Sequence, residues 1–352
     1  MTFTVNGKYL VSGGHEEAIQ VWRVKDGKRV AAMKVQGVVN CVTVSKDGRW
    51  IAAGTKAEVS VWDATNYKQV FASKIGGSMW DLDFSPDYES RLLSADGLNN
   101  TATIWDLAAR EKVQALDHNH GVYAAKYSPQ GDRIATATKR SIRVWDSDDG
   151  RLLVDVEVQV EAWYGLLWFN NHLFVIAGDS KIRQIDASTG STVSEWSVPS
   201  ANARIALPQH GKFIAHSTGD NVTFWDTSTH LQLGFISRSS QKRSIAFSPD
   251  NRHFAIVTQQ QKISINAFST VKVRSVFFPY LPTREQHYLC HTQGTRHSYW
   301  KCCAQSVERW STHQGRSVTD CCNPDVRGHN LSCTRQSSSC PGTLATMGCS
   351  TH

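Results

Sequence analysis

Asp81 and Asp83 stand two positions apart beside Trp80, in the run MWDLDF, and in an extended segment alternate residues share one face. Two carboxylates on one face can divide the work of general acid and general base when a neighbouring group sets their ionisation apart. No base flanks this pair in the sequence, so no catalytic role is assigned to it. The second concentration of reactive side chains is a set of cysteines, residues 290, 302, 303, 321, 322, 333, 340 and 349, with histidines among them. Thiolate and imidazole are zinc ligands, but the spacing contains no Cys-x-x-Cys, and vicinal cysteines such as Cys302-Cys303 rarely both reach one tetrahedral ion. A disulfide framework has no support from a secretory leader.

The chain has neither a Gly-x4-Gly-Lys-Ser/Thr phosphate loop, nor a Gly-x-Ser-x-Gly elbow, nor a His-Glu-x-x-His metal helix. No catalytic residue, metal ligand or cofactor is therefore assigned. Its 352 residues carry a net charge of +7, and the charge is uneven: residues 1–269 hold 29 Lys and Arg against 27 Asp and Glu, whereas residues 270–352 hold 9 against 4. The body has no bulk charge with which to hold a phosphate backbone, so nucleic acid is not the expected partner. No apolar run is long enough to span a bilayer as a helix, and the expected compartment is intracellular, cytoplasmic or nuclear.

The elements that would position these residues follow from a period. Trp22, Trp62, Trp105, Trp145, Ile185, Trp225 and Ile265 fall at spacings of 40, 43, 40, 40, 40 and 40. In phase with them, Phe3, Val44, Phe84, Tyr127, Trp168, Leu207 and Phe247 precede turn sequences such as SPD, SKDG and SPQG. Between each turn and its tryptophan lie two short alternating β-rich runs, and after each Trp-Asp comes a third. Four strands per unit at this period specify a β-propeller. The markers Trp22, Trp62, Asp63, Trp105, Asp106, Trp145, Asp146, Trp225 and Asp226 are read as structural, each aspartate capping a turn.

With VWD, IWD, VWD and FWD in register and the FSPD, YSPQG and FSPD turns, residues 1 to about 270 resemble the WD-repeat β-propellers. The resemblance implies an all-β fold, a seven-bladed propeller of four-stranded antiparallel sheets, and a noncatalytic scaffold that binds a protein or peptide on its top face. Relatives in the family that join a propeller to a kinase or nucleotide-binding signalling domain imply the alternative of a regulatory or sensor propeller; a propeller enzyme is the third reading. The sequence departs from the family at the Gly-His pair, where it has VQG, IGG and HNHG; His118 and His120 alone recur in such a loop. Missing hydrogen-bond networks predict an irregular propeller, least regular in the blades of Ile185 and Ile265.

No outer strand precedes Phe3, so the last blade is expected to be completed from downstream, by VKVRSV at 271–276, and the propeller to be imperfectly closed. The expected domains are a propeller over 1–276 and a Cys/Ser/Thr-rich basic tail over 277–352. In residues 270–352, Val, Leu and Phe make up 12 of 83 and Ile is absent, below the roughly 20% at which a core is built. The tail is expected to be disordered, an out-of-frame or intron-derived end on a truncated or mis-spliced propeller.

Four residues before each turn-bearing apolar position, the inner strands present Asn40, Trp80, Tyr123, Tyr164, Ala203 and Arg243, with Trp163 and Lys242 one residue earlier. Trp, Tyr and Arg dominate interface hot spots. The expected partner-binding ring is Asn40, Trp80, Tyr123, Trp163, Tyr164, Lys242 and Arg243. The competing reading is that these aromatics fill the rim between uneven blades.

Overall fold

A computed structural model of the protein describes residues 1–87, 90–159, 165–201, 203–218, 221–237, 242–258, 263–267 and 272–273. Met1–Arg274 form one compact unit; the second, Ser275–His352, lies outside the described residues, as do Trp163 and Tyr164. The described residues contain strands and no helix, so none long and apolar enough to cross a membrane.

Seven antiparallel sheets follow one another in a propeller ring. Blade one holds β1 (Thr2–Phe3), β2 (Tyr9–Gly13), β3 (Ala18–Arg23) and β4 (Arg29–Lys34). Blade two holds β5 (Cys41–Val44), β6 (Trp50–Gly54), β7 (Glu58–Asp63) and β8 (Gln69–Lys74). Blade three holds β9 (Met79–Phe84), β10 (Arg91–Asp96), β11 (Thr101–Asp106) and β12 (Glu111–Asp117). Blade four holds β13 (Val122–Tyr127), β14 (Arg133–Thr138), β15 (Ser141–Asp146) and β16 (Leu152–Glu157). Blade five holds β17 (Leu166–Phe169), β18 (His172–Ala177), β19 (Lys181–Asp186) and β20 (Thr192–Ser197). Blade six holds β21 (Arg204–Ala206), β22 (Phe213–Ser217), β23 (Asn221–Asp226) and β24 (Gln232–Ser237), and blade seven β25 (Lys242–Phe247), β26 (His253–Thr258) and β27 (Ile263–Ala267).

The core is a series of layers between adjacent blades. Val11, Ile19, Val21 and Met33 of blade one meet Ile51, Ala53 and Trp62 of blade two, and the pattern repeats around the ring to Phe3 and Leu10 of blade one against Ala255 of blade seven. Blades six and seven join through aromatics: Phe213 packs edge-to-face on Phe224 and Phe247, and Phe224 on Phe254, at ring separations of 5.6–5.9 Å.

The repeat markers do the local work their types predict. Asp63, Asp106, Asp146 and Asp226 each accept from the backbone N–H groups two and three residues on, at 2.7–3.3 Å. Each turn is closed by a residue at positive φ four places after the aspartate: Tyr67, Arg110, Gly150 and His230. The indoles of Trp22, Trp105, Trp145 and Trp225 donate to Ser12, Ser94, Thr136 and Thr223 at 2.8–2.9 Å. Two of these bonds extend into the networks whose absence the sequence suggested. His118 Nε2 meets Thr136 Oγ1 at 2.8 Å, and His216, on β22 rather than in the expected loop, meets Thr223 Oγ1 at 3.3 Å and Ser200 O at 2.8 Å. Burial holds the His118 imidazole down to about pKa 4, so it is neutral at pH 7.

Closure differs from expectation. Among the described residues blade seven has three strands, and β28 (Lys272–Val273), from the segment expected to complete it, pairs instead with Phe235 and Gly234 of β24 in blade six. Periodicity identifies extended residues, but the edge they join depends on the preceding loop, and every outer strand offers an open edge. Blade five, with Ile185 in the tryptophan place, is a complete four-stranded sheet with Ile185 buried.

Candidate functional site

The loops that enter each inner strand and the hairpin loops between second and third strands meet on one face. Asn40 N donates to Gly54 O (2.9 Å), Met79 N to Thr55 O (3.1 Å) and Gly97 N to Ser78 O (3.0 Å). Where the inner strand leaves this face, the ladder of blades three, four and seven carries a bulge. Asp81 pairs with Ala95 and Met79 with Asp96, so Trp80 is the extra residue; Tyr123 stands between Val122 and Ala124 in the same way, and Arg243 between Lys242 and Ser244. A bulge re-aims the side chain of its extra residue. Three of the ring positions inferred from the period, those of Trp80, Tyr123 and Arg243, thus share one backbone irregularity. The residues just before them, Met79 and Val122, are buried, and so is Val39.

Trp80 and Tyr123 come together, partly buried, with ring centroids 6.0 Å apart and planes at 58°. Lys139 Nζ lies 5.9 Å from the Tyr123 ring centre. Gly97 makes this possible: a Cβ there would stand 2.5 Å from Trp80 Nε1, and one on Gly121 would stand 2.3 Å from Gly97 O. Buried Asp96 shapes the turn beneath, accepting from the N–H groups of Ser78 (3.0 Å), Leu98 (2.9 Å) and Asn99 (3.2 Å). That turn projects Leu98, 68% exposed, the most exposed of the large apolar side chains described. Asn40 is used otherwise: its amide donates to Met79 O at 3.0 Å, tying blade two to blade three. Ala203 is buried. The side chains of Lys242 and Arg243 lie outside the described residues, so the ring is seen over blades two to four.

Below the rim, the carboxylates of the MWDLDF run do acquire a partner. Lys126 Nζ lies 2.9 Å from Asp81, which also accepts from Ala125 N at 3.2 Å, while Asp83 accepts from Tyr127 N at 2.9 Å. Both acids of β9 therefore bond to the backbone of β13, stitching blade three to blade four where Trp80 and Tyr123 must stay in register. The signal was present in the period: Asp83 precedes Phe84 as Lys126 precedes Tyr127, the same place on adjacent inner strands. Burial pushes the Asp83 carboxyl up to about 6, against the pull of Lys126 and the Tyr127 N–H. Burial also opposes the Lys126 charge, but Asp81 and Asp83 outweigh it and hold the amine well above the usual lysine range. Cys41 faces the same wall, and burial, reinforced by Asp81, pushes its thiol up to about 12, leaving it protonated and unreactive at neutral pH. Among the described residues no three His, Cys, Asp or Glu are arranged to hold a metal ion.

Because Asp83 ionises at higher pH folded than unfolded, the folded state takes up its proton first, and its contribution to stability rises as pH falls from about 7 towards 4. His118 works oppositely over a similar window, so the effect is isolated by comparison with Asp83→Asn, which keeps an acceptor for Tyr127 N. The melting temperature of the wild type should gain on that of Asp83→Asn across this range, by the equivalent of roughly 2 kcal/mol after allowing for partial exposure. A gap that stays constant from pH 7 to pH 4 contradicts the assignment.

Comparison with known proteins agrees with this architecture. A family model described as WD domain, G-beta repeat matches residues 27–63 and 110–146, each running from an outer strand through three strands of the next blade to a Trp-Asp. A p21-activated protein kinase-interacting protein 1-like protein of Gallus gallus is 20% identical over 51% of this chain and 48% of its own length. The small ribosomal subunit protein RACK1y of Oryza sativa subsp. japonica is 29% identical over 39% and 43%, and apoptotic protease-activating factor 1 of Rattus norvegicus 27% identical over 43% and 12%. The match spans less than half the length of each of these relatives. With matched repeats, seven in-phase blades and Trp-Asp turns that bond as the repeat requires, the chain belongs to the WD-repeat β-propellers.

Proposed function

We propose that the protein is a noncatalytic interaction scaffold that binds a protein or peptide on the rim of blades two to four, around Trp80, Tyr123 and Leu98. One observation carries the reading: two aromatics, each the extra residue of a bulge, stand against each other beside the most exposed large apolar side chain described. Trp and Tyr bring large contact area with a polar handle and little conformational freedom to lose. The names of the relatives fit, since one is called a kinase-interacting protein and another a ribosomal subunit protein. We place this work inside the cell, in cytoplasm or nucleus, and assign it no cofactor.

Trp80→Ala and Leu98→Asp should each weaken binding of a captured partner by about 1–3 kcal/mol. Both should melt within a few degrees of the wild type, and isothermal titration beside a melting curve measures both quantities. Unchanged affinity with a large fall in melting temperature for Trp80→Ala would mean that the aromatics only fill the rim.

A further inference from the structure

Exposed cations stand on both sides of the aromatic pair, and the exposed carboxylate nearest them, Glu157, lies on the outer strand β16 opposite Ser141. Lys56 is exposed in the loop whose Thr55 carbonyl bonds Met79 N, one residue from Trp80. On the other side Lys139 and Arg140 are exposed at the tip of the blade-four hairpin, with the Lys139 amine near the Tyr123 ring. The carboxylates on the two strands nearest Trp80 are committed. Asp81 and Asp83 are turned to Lys126 and the β13 backbone, and Asp96 is buried, accepting from Ser78 N at the entry to β9 and from Leu98 N in its own turn. Exposed Asp117 is two strands further out, at the end of β12.

We propose that this rim takes an acidic peptide segment, its apolar side chain seated on Trp80, Tyr123 and Leu98 and its carboxylates flanked by Lys56, Lys139 and Arg140. The proposal rests on the rim being the binding site and adds the chemical class of the occupant. A cationic peptide is disfavoured because lysines already hold both sides of the aromatic pair, and like charge across an interface costs affinity. Single-stranded nucleic acid also uses cations and aromatics, but it needs a basic groove that tracks many phosphates. Here Glu16 and Glu17 stand exposed at the corresponding hairpin of blade one.

The test is selection of a displayed random-peptide library on the full chain, counter-selected on Trp80→Ala, followed by anisotropy of the enriched peptides. Peptides retained by the wild type and lost by Trp80→Ala should be enriched in Asp and Glu. Their affinity should fall with salt and drop about tenfold or more in Lys139→Glu/Arg140→Glu, whose exposed positions leave the fold intact. Rim-dependent peptides without acidic enrichment, indifferent to the charge reversal, overturn the acidic class and leave the rim reading standing. Enriched peptides that bind Trp80→Ala as well as the wild type overturn both. An oligothymidylate that displaces the selected peptides and is itself lost in Trp80→Ala and in the charge reversal overturns the peptide assignment in favour of nucleic acid.

Discussion

Phe224→Ala should lower the stability of the propeller by about 3–5 kcal/mol, among the largest effects of any single truncation in it. Phe224 is fully buried and packs edge-to-face on Phe213 of its own blade and Phe254 of the next. Elsewhere in the ring each blade is backed by four strands, but among the described residues the seventh has three, so its attachment to blade six leans on this aromatic cluster. The loss should be read as a fall in the urea midpoint. It should come with faster amide exchange in β26 and β27 than in blades two to four, because the damage is local to one junction. Phe224→Leu, which keeps most of the volume, should cost less than half as much. If both variants lose the same small amount and exchange rises evenly around the ring, the junction bears no special share of stability.

How much of this was legible in the sequence depends on the kind of contact. The Trp-Asp period determined seven blades, since each indole and aspartate acts within its own repeat: Trp105 bonds Ser94 in the same sheet, and Asp106 bonds N–H groups two and three residues on. The common place of Trp80, Tyr123 and Arg243 was legible for the same reason, because they are one backbone position seen three times. Contacts that cross repeats were harder. The use of Asn40 to tie two blades follows from an amide short enough to reach a neighbouring carbonyl, which a period does not encode. Gly97 and Asp96 hold the turn of Leu98 against Trp80, whereas DGLNN reads in isolation as an ordinary hairpin tip. His216 escaped because it supplies a network from a strand where the family pattern directs attention to a loop. The β28 segment was recognisable as extended, but the period does not encode that it joins β24 of blade six.

Lys126→Met should destabilise the protein by about 2 kcal/mol and weaken rim binding as well. Removing one member of a fully buried pair costs about 3–5 kcal/mol, because the partner is left charged and unsolvated. Here the side chains of Lys126 and Asp81 keep 25% and 22% exposure, so solvent screens part of that cost. What remains should be recovered in part by Asp81→Asn in the same background, and a double-mutant cycle should return a coupling of about 1 kcal/mol or more. The variant also removes the cation that draws the Asp83 carboxyl down, so Asp83 should ionise at still higher pH than in the wild type. The consequence for binding follows from position. Asp81 and Asp83 bond the backbone of β13 within four residues of Tyr123, and they share β9 with Trp80. A loosened joint lets the two aromatics drift apart, so affinity for a rim ligand should fall although Lys126 touches no part of the rim. A variant that melts earlier and binds unchanged would show that the aromatic pair is held by its bulges alone, without help from the wall beneath.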